Sequence, residues 1–265
     1  MSSLKLNVDR NRALYARDAE SYLGRELHPP EQVLLQLLRG RWHEISMLDV
    51  GVGAGRTSYT FSAVAKDYVG VDYSPEMIEL SKRSIGERES VRFLVCDARD
   101  MSVMDDAAFD VVLFSFNGID SVDERDRVVV LHEVRRLLKP DGCFFFSSHS
   151  LNALPFSYSF PPVLLRSPAR SAYGLLRAIR QNALRLRLNQ SLDLAALRER
   201  GWGLVRDEAH NGELTSFYAS PEYHVQQLED TGFRVTCVYD LSGRPVESLS
   251  SARDHWLHYL CEPAV

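Results

Sequence analysis

Long apolar runs are missing from this sequence. No window reaches the roughly 18 uninterrupted apolar residues that a spanning helix needs, so no membrane span is expected. Cysteine is scarce. Cys96, Cys143, Cys237 and Cys261 are widely scattered and form no CxxC pair. That argues against a zinc site or a disulfide framework and makes free thiols in a reducing cytosol the expectation, hence a cytoplasmic protein. The opening MSSLKLNVDRNR lacks the apolar stretch of a secretory signal. No repeat, Gly/Ser linker or metal-ligand spacing of His, Asp and Glu is found. Lysine is absent from Arg166 to Arg206, where nine arginines meet two acids, Asp193 and Glu199. The whole chain carries a formal charge of -5, so the remainder is strongly acidic. Such a balance does not describe a general polyanion binder, and no nucleic-acid partner is expected.

What is present is an alternation of short apolar runs and helical patterns. The spacing predicts helices over Asp9–Tyr22 and Glu31–Arg39. Strands are expected at Ile45–Val50, Asp67–Asp72, Val91–Cys96, Phe109–Phe116 and Cys143–Ser148. Helices are expected between them at Arg56–Ala65, Pro75–Arg83 and Asp123–Leu138, with Ser74 as an N-cap. This order argues for an α/β fold with a parallel sheet, and such sheets bind ligands at the strands' carboxyl ends. From Leu151 to Asn211 the alternation fails. Ser171–Leu188 reads as a basic helix. Strands at Gly203–Asp207 and Leu214–Tyr218, a helix from Ser220 to Asp230, and strands at Phe233–Tyr239 and His255–Cys261 follow. The chain is expected to form one domain: a helical cover (1–40), a core (41–150), a basic lid insert (151–213) and the C-terminal part of the sheet (214–265).

Chemistry concentrates where the first strand runs into Asp49-Val50-Gly51-Val52-Gly53-Ala54-Gly55-Arg56. Glycines let backbone approach a ligand closely. A dinucleotide fingerprint needs its third glycine five places after the first. Arg56 stands there instead, which counts against an NAD-linked oxidoreductase. No Gly-Lys-Ser/Thr follows, so a P-loop is excluded. Asp72 lies 21 residues after Gly51 at a strand end, where a carboxylate can accept from both ribose hydroxyls of an adenosine. Asp97 ends the third strand, where an acceptor could meet an adenine amine.

Taken together, LDVGVGAGR (48–56), GVDYSPEMIELSK (70–82), CDA (96–98), FDVVLFSFNGID (109–120) and EVRRLLKPDG (133–142) resemble the class I S-adenosylmethionine (SAM)-dependent methyltransferases of small molecules. FYASPEYHVQQLEDTGF (217–233) extends the resemblance more weakly. It implies a Rossmann-like seven-stranded sheet with an antiparallel last strand, and SAM as cofactor. By this match Asp49, Gly51, Gly53, Gly55 and Ser115 belong to the cofactor site. Asp72 would hold the ribose, Asp97 the adenine amine, and Ala98, Tyr73 and Met77 would pack on the adenosine. Asn117 resembles a substrate-side position. His149, after the fifth strand, and His210, in a polar turn, are candidate bases. Arg177 and Arg180 suit an anionic small-molecule acceptor: phosphate, diphosphate, carboxylate or coenzyme A-linked. A SAM-binding protein without catalysis is the alternative.

Overall fold

The computed structural model describes residues 5–154, 179–180, 183–184, 187–189, 192–206 and 213–264. Its strands are β1 (Ser46–Val50), β2 (Asp67–Asp72), β3 (Val91–Val95), β4 (Phe109–Phe114), β5 (Leu138–Ser150), β6 (Trp202–Arg206), β7 (Thr215–Ala219), β8 (Phe233–Tyr239) and β9 (Trp256–Pro263). Its α-helices are α1 (Val8–Arg17), α2 (Pro29–Leu37), α3 (Ser58–Val64), α4 (Pro75–Ile85), α5 (Glu124–Leu137), α6 (Leu194–Arg200) and α7 (Pro221–Asp230).

Strands β3-β2-β1-β4-β5 run parallel in that spatial order. Strand β9 then pairs antiparallel with β5, and β8 with β9. These seven strands have the expected architecture. The described sheet holds nine strands rather than seven, because the hairpin β6–β7 also joins it. β7 pairs with β5 only at His149↔Tyr218 and Ser150↔Ala219, and β6 runs antiparallel to β7. Residues Thr215–Ala219 therefore lie in a hairpin against the tip of β5, not in the C-terminal run of the sheet. β5 also begins earlier than its apolar pattern suggests, at Leu138. Its register against β4 shifts between Phe109 and Val111. The Lys139–Gly142 segment, which follows α5 directly, is the irregular start of the strand.

Alternation along β1 sends Leu48 and Val50 to one face and Met47 to the other. One face is covered by α5 and α7 through Val130, Leu131, Val134 and Leu228. The other is covered by α2, α3 and α4 through Leu34, Phe61 and Ile78. The helices start where side chains satisfy their free N–H groups. Ser74 accepts from Met77 N, Asp123 from Arg125 and Asp126 N, and Ser220 from Tyr223 N.

Candidate active site

β1 lies between β2 and β4, so the chain leaves it in opposite directions on its two sides. That crossing opens a crevice above the carboxyl ends of the strands. A cavity of about 520 Å³ occupies it. Gly51–Ala54, Asp72, Asp97–Ala98 and Phe114–Gly118 line it from the sheet. Val8, Tyr15 and Tyr22–Gly24 close it from the N-terminal cover, and His149 and Trp256 bound the far end.

The glycine loop is held by its own acids. Asp72 Oδ2 accepts from Gly53 N at 3.0 Å and Oδ1 from Ser74 N at 2.9 Å. Burial pushes its carboxyl up to about 6, against those two bonds. Asp49 lies beneath the loop and accepts from Thr57 Oγ1 at 2.5 Å and Tyr68 OH at 2.6 Å. Burial raises it to about 6 as well. Gly51 has φ 64°, and a Cβ there would stand 2.7 Å from the Phe114 ring. Gly55 has φ 89°, and a Cβ there would press on Ser81 Oγ at 3.1 Å, whose hydroxyl donates to Gly53 O at 2.8 Å. Gly55 thus allows the close approach between loop and α4.

Arg56 reaches across to α2. Its guanidinium grips Glu31 of α2 with two bonds of 2.6 Å. Glu31 is fully buried and also accepts from His28 N at 2.7 Å and from Ser115 Oγ. Ser115 lines the cavity, but its hydroxyl is engaged by Glu31. Asp97 is engaged too: Arg99 binds it through Nη2 at 2.7 Å and Nε at 3.0 Å, and reaches Asp126 at 2.7 Å. Burial would raise the Asp97 carboxyl, but Arg99 outweighs it and holds it below the usual range. Met77 is buried against Ala19, Ala54 and Leu80 and borders the cavity. Tyr73 borders it with a buried hydroxyl that has no partner among the described residues.

At the far end His149 Nδ1 meets Asp120 Oδ2 at 2.7 Å, and the same oxygen accepts from His149 N at 2.7 Å. Asp120 Oδ1 accepts from Arg127 Nη1 at 2.7 Å and from Ser148 Oγ. Burial alone would raise the Asp120 carboxyl. The His149 hydrogen bond and the Arg127 charge outweigh it and hold it low. An ionised carboxylate only accepts, so Nδ1 carries a proton, and in the neutral ring the lone pair is then on Nε2. Asn117 Nδ2 lies 3.2 Å from Nε2, at a left-handed backbone position with φ 59°. Arg127 is buried and is held in turn by Ile119 O, Gln227 Oε1 and His224 Nδ1. His224 can accept from it because burial, aided by Arg127, drives its imidazole down to about 3.

Sequence reasoning singled out His149 and Asn117, and the structure brings them together. Asp120 and Arg127 were missed. Asp120 ends a quoted motif, but its partner lies 29 residues away. Arg180 is exposed and does not line the cavity. His210 and Arg177 lie outside the described residues.

Residues 47–142 match the model of a methyltransferase domain. That stretch holds the glycine loop, Asp72, Asp97 and the turn after β4. Over that stretch the chain is similar to the methyltransferase-domain family. The domain is similar to an uncharacterized methyltransferase, YcgJ, of Bacillus subtilis: 35% identical over 108 residues, 40% of this chain and 41% of that protein. It is also similar to a demethylmenaquinone methyltransferase of Clavibacter sepedonicus, 32% identical over 41% of this chain and 43% of the relative. The chain thus spans less than half the length of these curated relatives. In fold, it resembles a SAM-dependent methyltransferase from Mesorhizobium loti, with a TM-score of 0.60 and 15% identity over 88% of this chain and 97% of the other. SAM is the cofactor of this methyltransferase class, and the crevice fits it. Bare backbone at Gly53, a buried carboxylate at Asp72 and the orphaned Tyr73 hydroxyl all border the same cavity.

Proposed function

We propose that this protein transfers a methyl group from SAM to a small-molecule acceptor, with His149 as general base. The carrying observation is one cavity lined by both the methyltransferase glycine loop and a His149 oriented by the buried, ionised Asp120. Asp72 holds the ribose and Asp97 the adenine amine, with Gly51, Gly53 and Gly55 shaping the loop. Bound there, SAM supplies an activated methyl on a sulfonium. The protein's work is then alignment, exclusion of water and removal of the acceptor's proton. The His149–Asp120 pair favours an enzyme over a SAM-binding protein without catalysis, which has no need of an oriented base. Cytoplasmic residence belongs to the same reading and rests on four free cysteines.

Asp72→Ala should weaken SAM binding by roughly 1.5–3 kcal/mol for each charge-assisted bond lost. Calorimetry with SAM checks this, and unchanged affinity removes Asp72 from the site. Asp97→Ala should raise the SAM constant and leave acceptor affinity mostly intact. A shift in the acceptor constant alone would move Asp97 to the acceptor side.

An anionic group on the acceptor is the finer part of this reading. Its support is the arginine content of residues 166–206 alone. Acceptor binding should then weaken as salt rises, while SAM binding changes less. An acceptor constant flat from low to high salt would leave Arg177 and Arg180 without a binding role.

A further inference from the structure

The acceptor end of the cavity is walled by aromatic rings. Phe116 is 46% exposed and is held at φ 54°, a backbone region that L-residues rarely adopt. Trp256 stands 5.0 Å from it, with the ring planes at 66°. Tyr22 meets Phe116 edge-on at 6.4 Å. His28 packs within 5.5 Å of Phe116 and 6.0 Å of Trp256. The His149 ring is inclined by only 24° to Trp256, so the base belongs to the same cluster. The result is a corner of flat faces and ring edges beside the base.

Such a corner can recognise either a ring or a cation, and the charges separate the two. Arg56 already lies 5.6 Å over the Phe116 ring. The described acids that line the cavity are Asp49, Asp72 and Asp97, all at the ends of β1 to β3. Asp120 is 1% exposed and sealed behind His149. A cationic amine would therefore meet an occupied ring face and no free carboxylate. A flat ring meets faces and edges at offset-stacked or T-shaped geometry.

Resting on the methyltransferase reading, we propose that Phe116, Trp256 and Tyr22, with His28 packed against the first two, form the acceptor subsite and take a planar aromatic ring that carries the nucleophilic hydroxyl. The ring hydroxyl gives its proton to His149 Nε2. Its oxygen bonds to the methyl carbon, and the sulfur keeps the electron pair of the broken C–S bond.

The test uses the whole protein saturated with S-adenosylhomocysteine, after calorimetry has established that this ligand binds. Three probes are then titrated: 2-naphthol, its saturated analogue decahydro-2-naphthol, and 2-dimethylaminoethanol. 2-Naphthol should bind about tenfold more tightly than the saturated alcohol, with the amine weakest. Phe116→Ala and Trp256→Ala should each erase most of that preference and leave S-adenosylhomocysteine affinity unchanged. Trp256→Phe should keep it. Equal affinity for the flat and saturated alcohols overturns the subsite, as does tighter binding of the amine or an unaltered preference in both alanine variants. Failure of S-adenosylhomocysteine to bind would overturn the methyltransferase reading, and the subsite with it. Binding of that ligand without ring preference would overturn the subsite alone.

Discussion

His149→Ala should lower turnover by roughly 10²–10⁴-fold while SAM binding is retained, because the variant loses proton removal and keeps the glycine loop. Single-turnover transfer of labelled methyl measures the first quantity and calorimetry the second. Asp120→Asn tests the arrangement behind the base. It keeps the shape of the side chain but removes the charge that fixes the Nδ1 proton. Turnover should fall here too, with the acceptor constant less affected. Near wild-type turnover in both variants would mean that alignment alone drives transfer, or that another group takes the proton.

Glu31→Ala should destabilise the fold by about 3–5 kcal/mol, read from denaturant unfolding, because it strands Arg56 without its buried partner. The lower end is expected, since the Arg56 side chain keeps 17% exposure and can turn toward water. Removing both Glu31 and Arg56 should cost less than the two single losses combined. The acid side gives an independent check. Burial works against the charged form of Glu31, but the Arg56 bonds and charge, with Ser115 and His28 N, outweigh it and lower its pKa. A depressed carboxylate stabilises the fold above its unfolded value of about 4.3 and loses that contribution as pH falls through the lower folded value. Wild type should therefore shed stability in that acid window, and Glu31→Ala should shed less.

The parts of this protein legible in sequence are those set by neighbours along the chain. Ser74 and Ser220 cap helices because the N–H groups they satisfy lie three residues on. Strand β2 and strand β8 match the apolar runs that announced them. Loop geometry was legible where a motif fixes backbone, as at Gly51–Gly55, whose Gly53 N–H is held by Asp72. The site was not legible where function depends on contacts across the fold. Arg56 reads as a misplaced glycine, yet its partner Glu31 sits on a helix 25 residues earlier. Ser115 and Asp97 read as open acceptors or donors, yet each is already bonded. Asp120 reads as the end of a turn. Only the pairing of the chain after β4 with β5 turns it into the partner of His149.

The hairpin β6–β7 touches the main sheet at His149. Its ladder to β5 consists of His149↔Tyr218 and Ser150↔Ala219. The Tyr218 ring stacks on the His149 imidazole at 4.5 Å. β7 also packs against the turn Gly118–Ser121 that carries Asp120. The hairpin therefore contacts both partners of the His149–Asp120 pair at once. A change at Tyr218 or Ala219 is felt at His149 as well as at the turn that carries Asp120.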